Sequence, residues 1–163
     1  QFYTSGSVNL LGYRELSDIA RDLLLTMNNR EEQEQITVFE WARLQEPTYP
    51  ELWLMYHIPN GGARSKATAA RLKAAGVKAG IPDICLPAPH GGYAALYIEL
   101  KTPEIKALGV QKGRPSKRQK DVIARLRAHG NCAVVCYGAE EAIKTIKGYL
   151  NDEISNCCDN FGA

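Results

Sequence analysis

Two short segments decide the predicted fold: GIPDI at residues 80–84 and YIELK at residues 97–101. Both are apolar segments typical of strands, and they carry Asp83 and Glu99, respectively. Alternate residues of a strand point to the same face of a sheet, so Glu99 and Lys101 project together while the residue between them points into the core. We therefore expect two paired strands, arranged as an antiparallel hairpin, that bring these three side chains to one place.

A pair of carboxylates beside an ammonium group is costly to assemble unless a cation lies between the acids. Hard oxygen ligands favour Mg²⁺ or Mn²⁺, and Lys101 is placed to orient or help deprotonate a water bound to such a metal. The pattern predicts a site that cleaves phosphodiesters. Simpler interpretations stay open: Asp83 ends a turn after Pro82, and Glu99 with Lys101 forms an ordinary surface pair.

Length and composition predict one domain with a normal core. The chain has 163 residues, of which 45% are hydrophobic and 23% charged, and neither a membrane-spanning run nor a signal peptide is evident. The five cysteines are an odd number. Cys85, Cys132 and Cys136 lie in apolar runs, where cysteine is usually a small core residue, and we expect a reduced, cytoplasmic protein.

The net charge of +2 conceals a strong asymmetry along the chain. Residues 60–127 contain 14 Lys or Arg against 4 Asp or Glu, whereas the remainder contains 6 against 14. Asp83 and Glu99 are two of the four acids in the basic part. A basic surface around a small acidic centre suits a polyanion that is both held and cut, although solvated helix faces would give a similar count.

Periodicity and turn residues predict an α/β domain with a central mixed four-stranded sheet flanked by helices. Residues 1–29 are predicted to be an extension with its own helix, residues 30–150 the domain, and residues 151–163 a loose tail. The predicted elements are, in order, helices at 15–27 and 30–44, a strand at 52–58, a helix at 65–75, strands at 81–86 and 93–101, a helix at 117–129, a strand at 133–137 and a helix at 140–149.

The helix predicted to begin near residue 30 carries Glu31, Glu32 and Glu34 in its first turn. Acids there interact favourably with the helix dipole, which is sufficient to explain them. Alternatively, one of them turns inward and completes the metal site. Helical spacing favours Glu31 or Glu34 for that role, with Glu32 as the third choice.

Several polar and basic residues are candidates for contact with substrate. Ser116 is predicted to cap the helix that begins at Lys117, with Gln119 in its first turn, and Gln119 is either a site residue or only part of that turn. His57 and Asn60 are the polar residues nearest the site in the sequence that could touch substrate. The predicted contacts to a phosphate backbone are Arg64, Lys66, Lys73, Lys78, Lys112, Arg114 and Lys117.

In this order, the segments resemble the VRR-NUC branch of the PD-(D/E)XK nuclease superfamily. The resemblance extends over roughly residues 30–147 and implies a restriction-endonuclease-like core. Further features that support it are the Asn-Gly-Gly turn at 60–62, the run at 73–76, the Ser-to-Gln segment at 116–119 and the segment at 130–137 that leads into the last helix.

The resemblance implies a role for each matching residue. Asp83 resembles the central metal-bridging aspartate, Glu99 the second metal ligand, and the backbone carbonyl of Leu100 a third. Lys101 resembles the lysine that positions the attacking water and stabilises developing charge, and Gln119 the glutamine that helps to hold the site. Glu31 or Glu34 would be the family's helical glutamate.

The expected activity is a metal-dependent, structure-selective DNA endonuclease that uses Mg²⁺ or Mn²⁺. Stand-alone family members of phages and bacteria resemble Holliday-junction resolvases, which implies branched DNA as partner and a homodimer, because two symmetric strands need two sites. Alternatives are a flap-cutting or restriction-type nuclease, a DNA-binding module that keeps the fold without catalysis, and a structural protein with incidental basic charge.

Overall fold

The computed structural model describes residues 30–59 and 65–154. Its strands are β1 (Tyr56–His57), β2 (Ile84–Leu86), β3 (Leu96–Lys101) and β4 (Cys132–Tyr137). They lie in that order across a four-stranded sheet. β2 runs antiparallel to both β1 and β3, whereas β3 and β4 are parallel. The predicted mixed sheet and its central hairpin are therefore confirmed.

Four α-helices flank the sheet within the described residues: α1 (Arg30–Gln45), α2 (Lys66–Ala74), α3 (Lys117–Ala128) and α4 (Gly138–Leu150). Short 3₁₀ helices occupy Pro50–Leu54 and Lys106–Leu108. Parallel neighbours need a crossover connection, and α3 lies in the connection between β3 and β4. Its capping residue, Ser116, is the one that the sequence predicts.

The larger core lies between the sheet and the pair α1 and α4. Val38 of α1 and Ile146 of α4 are fully buried there against the strand residues Ile98 and Leu100. The opposite face of β4 packs on α3 through a smaller cluster centred on Ile123. Glu99 and Lys101 alternate with the residues of the larger core, so the second face of the sheet presents the polar side chains.

The predicted strand at 52–58 is wrong over most of its length. Pro50 begins a 3₁₀ helix, and only Tyr56 and His57 form a strand. Of the side chains that suggested a buried strand, Leu52 and Met55 are buried in the core, whereas Trp53 is 75% exposed. Proline suits the first turn of a helix because it has no N–H to donate.

Some predictions fall on other parts of the chain. The helix at 15–27, Asn60, Arg64 and residues 155–163 lie outside the described residues. The start of the predicted loose tail is packed, since Asp152 Oδ1 accepts a hydrogen bond from the Gly91 N–H at 2.6 Å.

The described cysteines lie in the core, as expected. Cys85 and Cys136 are buried and free, whereas Cys132 is disulfide-bonded, so the expectation of fully reduced cysteines is wrong at this position. No helix of the described part is long and apolar enough to cross a membrane.

Substitution of Gly80 tests how tightly the segment before Asp83 is held against α3. Its φ is +85°, and a Cβ there would lie 2.9 Å from Arg118 Cγ. Gly76 has a φ of +97° with nothing within 4 Å, so Gly76→Ala isolates the backbone cost, about 1–2 kcal/mol. We expect Gly80→Ala to reduce the free energy of unfolding, measured with urea, by more than this control does. Equal losses would show that Arg118 moves aside freely.

Candidate active site

The end of the β2–β3 hairpin holds three of the predicted site residues. Ile84 pairs with Ile98 in the antiparallel register, which places Asp83 opposite Glu99. Asp83 Oδ2 accepts a hydrogen bond from the Leu100 N–H at 3.0 Å. The aspartate is thus fixed directly to the strand that carries the glutamate.

Glu99 is the most deeply buried acid of the site, with an exposed fraction of 0%. Its Oε1 lies 2.7 Å from Lys101 Nζ and also accepts a hydrogen bond from Gln119 Nε2. Its Oε2 is buried and has no hydrogen-bond partner among the described residues. A buried oxygen without a partner is costly, so this atom is available to a group that residues 30–59 and 65–154 do not supply.

Lys101 Nζ lies among oxygen atoms from two different elements. Besides Glu99, it contacts Glu31 Oε1 at 2.8 Å and donates to the Leu100 carbonyl at 2.7 Å. The resemblance implies that Glu99 and the Leu100 carbonyl are metal ligands, together with Asp83, and Glu31 is one of its two candidates for the helical ligand. The ammonium group therefore acts as the cation that balances the buried acids.

The environment shifts the protonation of all three residues. Burial, followed by the nearby charge of Asp83, raises the pKa of Glu99 to about 7, although Lys101 opposes the shift. Burial also raises the pKa of Asp83. Burial alone would lower the pKa of Lys101, but its hydrogen bonds to Glu31 and Glu99 outweigh that effect, and the pKa is raised. The site therefore favours a charged Lys101 and disfavours the ionisation of Asp83 and Glu99 together.

Gln119 connects the site to the start of α3. Ser116 and Gln119 form a capping box, in which the Ser116 N–H donates to Gln119 Oε1 at 2.7 Å. This bond leaves the amide nitrogen to donate to Glu99. Gln119 is therefore both a helix-capping residue and a contact of the buried glutamate, which unites the two interpretations of the sequence.

The two candidate helical glutamates have different positions. Glu31 contacts Lys101, as described above, whereas Glu34 Oε2 accepts a hydrogen bond from the Ala139 N–H at 2.7 Å. No side chain of the residue before α4 caps that helix, so Glu34 performs this function from a neighbouring element. Of the two alternatives, only Glu31 is brought to the lysine.

The histidines lie in different surroundings. His57 Nδ1 is 2.8 Å from the Asp83 carbonyl oxygen, which places it beside the site and leaves contact with substrate as a prediction. His90 Nδ1 lies 3.3 Å from Asp152 Oδ1, and His129, directly after α3, has its Nδ1 2.8 Å from the Arg125 carbonyl oxygen.

Those predicted basic contacts that the structure describes are exposed, as phosphate contacts require. Arg118, which the sequence analysis did not single out, donates to the Ala79 carbonyl at 2.9 Å and holds the 78–81 segment to α3. A second residue without a predicted role is Tyr137, which pairs with Lys101 across β3 and β4. The exposed side chains from the predicted set are Lys66, Lys73, Lys78, Lys112, Arg114 and Lys117.

The donor set suits a hard divalent cation, although within residues 30–59 and 65–154 no three acids, histidines or cysteines are already arranged as a metal site. Carboxylate and carbonyl oxygens are the ligands that Mg²⁺ and Mn²⁺ prefer. Glu99 Oε2, which no described residue hydrogen-bonds, and the raised pKa of the Glu99 carboxyl both favour an added cation. The Lys101 ammonium currently supplies part of that positive charge.

Comparison with known proteins supports the predicted family and fold. The family model for the VRR-NUC domain matches residues 29–140. A solved structure described as a VRR_NUC domain protein is 30% identical, with a TM-score of 0.61, and the match covers 74% of this chain and 88% of that one. No curated protein matches the chain.

Proposed function

The chain belongs to the VRR-NUC domain family, and from that premise we propose that it is a divalent-metal-dependent, structure-selective DNA endonuclease. The family has a nuclease-type fold for processing DNA. The observation that carries the proposal is the position of Lys101 beside the buried Glu99, whose second oxygen has no partner among the described residues. A purely structural ion pair would be expected to satisfy both oxygens.

Asp83, Glu99, the Leu100 carbonyl and Glu31 are proposed to hold Mg²⁺ or Mn²⁺. Such an ion would polarise the phosphodiester and make the attacking water more acidic. Lys101 shares three of these oxygen sources, so it would release at least one of them on loading. Its ammonium then remains next to the reacting phosphate, where it can orient water and stabilise negative charge. Gln119 keeps Glu99 in place.

The exposed basic side chains are proposed to grip the DNA backbone, which carries no base information. Selection by DNA shape is therefore the expected mode. We propose a resolvase-like homodimer that acts on four-way junctions, in which the symmetry of the dimer would match the two equivalent strands of the junction. A flap-cutting or restriction-type enzyme uses the same chemistry and differs only in substrate.

The test is cleavage of a labelled four-way junction, a 5′ flap and plain duplex in Mg²⁺ or Mn²⁺, with Lys101→Met in parallel. Symmetric junction cuts that the substitution abolishes are expected. Cutting of the flap alone would keep the chemistry and overturn the resolvase assignment. DNA binding without metal-dependent cleavage of any substrate would indicate the non-catalytic module.

Separate alanine substitutions should distinguish the two helical glutamates. We expect Glu31→Ala to slow cleavage by about tenfold or more, the size of one charged contact, with little change in stability because this side chain is 45% exposed. Glu34→Ala should reduce the free energy of unfolding by about 1 kcal/mol through loss of the cap. Single-turnover cleavage and urea unfolding measure the two effects.

The matched control is Glu32→Ala, which changes an exposed acid in the same helical turn. It is expected to affect neither quantity by much. A loss of cleavage in folded Glu34→Ala, with Glu31→Ala fully active, would reverse the assignment of the helical ligand.

A further inference from the structure

A polar pocket of about 460 Å³ lies between the loop after β3 and the end of β4. Two cationic side chains and an aromatic ring are among the groups that line it. Its lining residues are Glu104, Gln111, Lys112, Gly113, Arg114 and Tyr137.

The pocket is adjacent to Lys101. Tyr137 pairs with Lys101 across β3 and β4, and neighbouring strands are about 4.8 Å apart. The loop approaches from the other side: the Gly113 N–H donates to the Thr102 carbonyl at 2.9 Å, and a Cβ on Gly113 would lie 3.3 Å from Lys101 Cβ. This close approach holds the loop backbone between Lys112 and Arg114 next to the proposed catalytic lysine.

Tyr137 holds Lys112 in the pocket. The Lys112 ammonium lies 3.6 Å from the centre of the Tyr137 ring, well within the range of a cation–π interaction. An exposed lysine normally samples many rotamers, and ordering it on binding costs free energy. The ring reduces that cost because it positions the charge before a ligand arrives.

We propose that this pocket binds the phosphodiester next to the scissile one in the same strand, with Lys112 and Arg114 as its contacts and Tyr137 as a positioning residue. The proposal rests on the proposed function and deepens it. The positive charges of Lys112 and Arg114 and the negative charge of Glu104 give the pocket a formal charge of +1. This charge matches one internal diester better than a terminal phosphate of about −2. The pocket would therefore favour cuts within a strand over removal of a terminal nucleotide.

The first test measures DNA binding in EDTA as a function of salt, with a four-way junction as probe. Each phosphate contact contributes about 0.9 to the slope of log K against log salt. Lys112→Gln should lower the slope by about this amount. Tyr137→Leu should lower it in the same direction although it removes no charge, whereas Tyr137→Phe, which keeps the ring, should not.

The matched control is the other described cation–π pair, Lys147 over the Trp41 ring at 5.5 Å. Lys147 lies in the last turn of α4, about 15 Å along the helix from the strand end at Tyr137. Lys147→Gln and Trp41→Leu should leave the slope unchanged. Equal changes of slope in the two pairs would show that the effect is not specific to this pocket and would overturn the proposal.

The second test places one neutral methylphosphonate linkage at successive positions around the cleaved bond. At one position adjacent to the cleaved bond, the neutral linkage should slow cleavage by the unmodified protein by about tenfold, the size of one charge-assisted contact. The same linkage should not slow cleavage by the Lys112→Gln variant further. If the methylphosphonate slowed Lys112→Gln as much as the unmodified protein at every position, the proposed pocket would be overturned. Absence of cleavage by the unmodified protein would overturn the proposed function instead, while the binding slopes in EDTA would still decide the pocket.

Discussion

Lys101→Met is expected to reduce cleavage by about 10²–10³-fold, the loss typical of removing one group that stabilises charge in the transition state. Methionine keeps an unbranched apolar stem of similar length, which suits a residue that is only 7% exposed. The ligand oxygens of Asp83 and Glu99 stay in place, because Asp83 is held by the Leu100 N–H and Glu99 by Gln119. The loss should therefore appear in the rate of the chemical step, measured in single-turnover reactions.

The metal affinity of Lys101→Met should not fall together with its cleavage rate. The Lys101 ammonium lies 2.7 Å from both Glu99 Oε1 and the Leu100 carbonyl, so it competes for the oxygens that a cation needs. Without it, Mn²⁺ affinity measured by calorimetry should equal or exceed that of the unmodified protein. Asp83→Asn, by contrast, should lose cleavage and metal affinity together.

Lys147→Met is the control, since it makes the same change at an exposed position of α4. Full activity is expected for it. Cleavage by Lys101→Met at the normal rate would remove the lysine from the chemistry. Parallel loss of cleavage, metal affinity and folding would assign it a structural role only.

The sequence was sufficient to predict the central part of this site because strand alternation is a local rule. Glu99 and Lys101 share a face whatever the rest of the chain does, and the apolar residues around Asp83 make a hairpin the natural partner arrangement. The capping box of α3 is equally local, since Ser116 and Gln119 are three residues apart. Such short-range patterns place side chains without knowledge of the tertiary fold.

The remaining features depend on contacts between distant elements. Glu31 and Glu34 lie in the same helix, and only the packing of α4 on α1 shows that Glu34 caps Ala139. Tyr137 joins the site because β4 pairs with β3 in a register that the sequence does not reveal. At 52–58 the apolar pattern was misleading, since Trp53 is mostly exposed and Tyr56 is half exposed.

Glu99→Gln is expected to stabilise the metal-free protein at alkaline pH while abolishing its activity. Burial, then the charge of Asp83, raises the pKa of Glu99 from 4.5 to about 7. A carboxyl with a raised pKa favours the folded state in its protonated form, so this contribution is complete below 4.5 and is lost as the pH rises through about 7. The difference corresponds to about 3 kcal/mol at most, because Glu99 is fully buried.

Glutamine cannot ionise and therefore avoids that cost. In EDTA at pH 8, urea unfolding should show Glu99→Gln more stable by about 1–3 kcal/mol, with the advantage shrinking towards pH 5. Gln119 can still donate to the remaining oxygen, so the contact with α3 is kept. Glu32→Gln, an exposed change in α1, should show no such pH dependence.

Adding Mg²⁺ should narrow or reverse the difference, because a ligand that binds only the folded, unmodified protein stabilises it by mass action. Such a result would mean that the buried acid destabilises the metal-free fold and that the proposed cation offsets this cost. If Glu99→Gln were less stable than the unmodified protein at pH 8 in EDTA, the Lys101 ion pair would outweigh the burial of Glu99. The glutamate would then be a structural residue, and its burial would no longer favour an added cation.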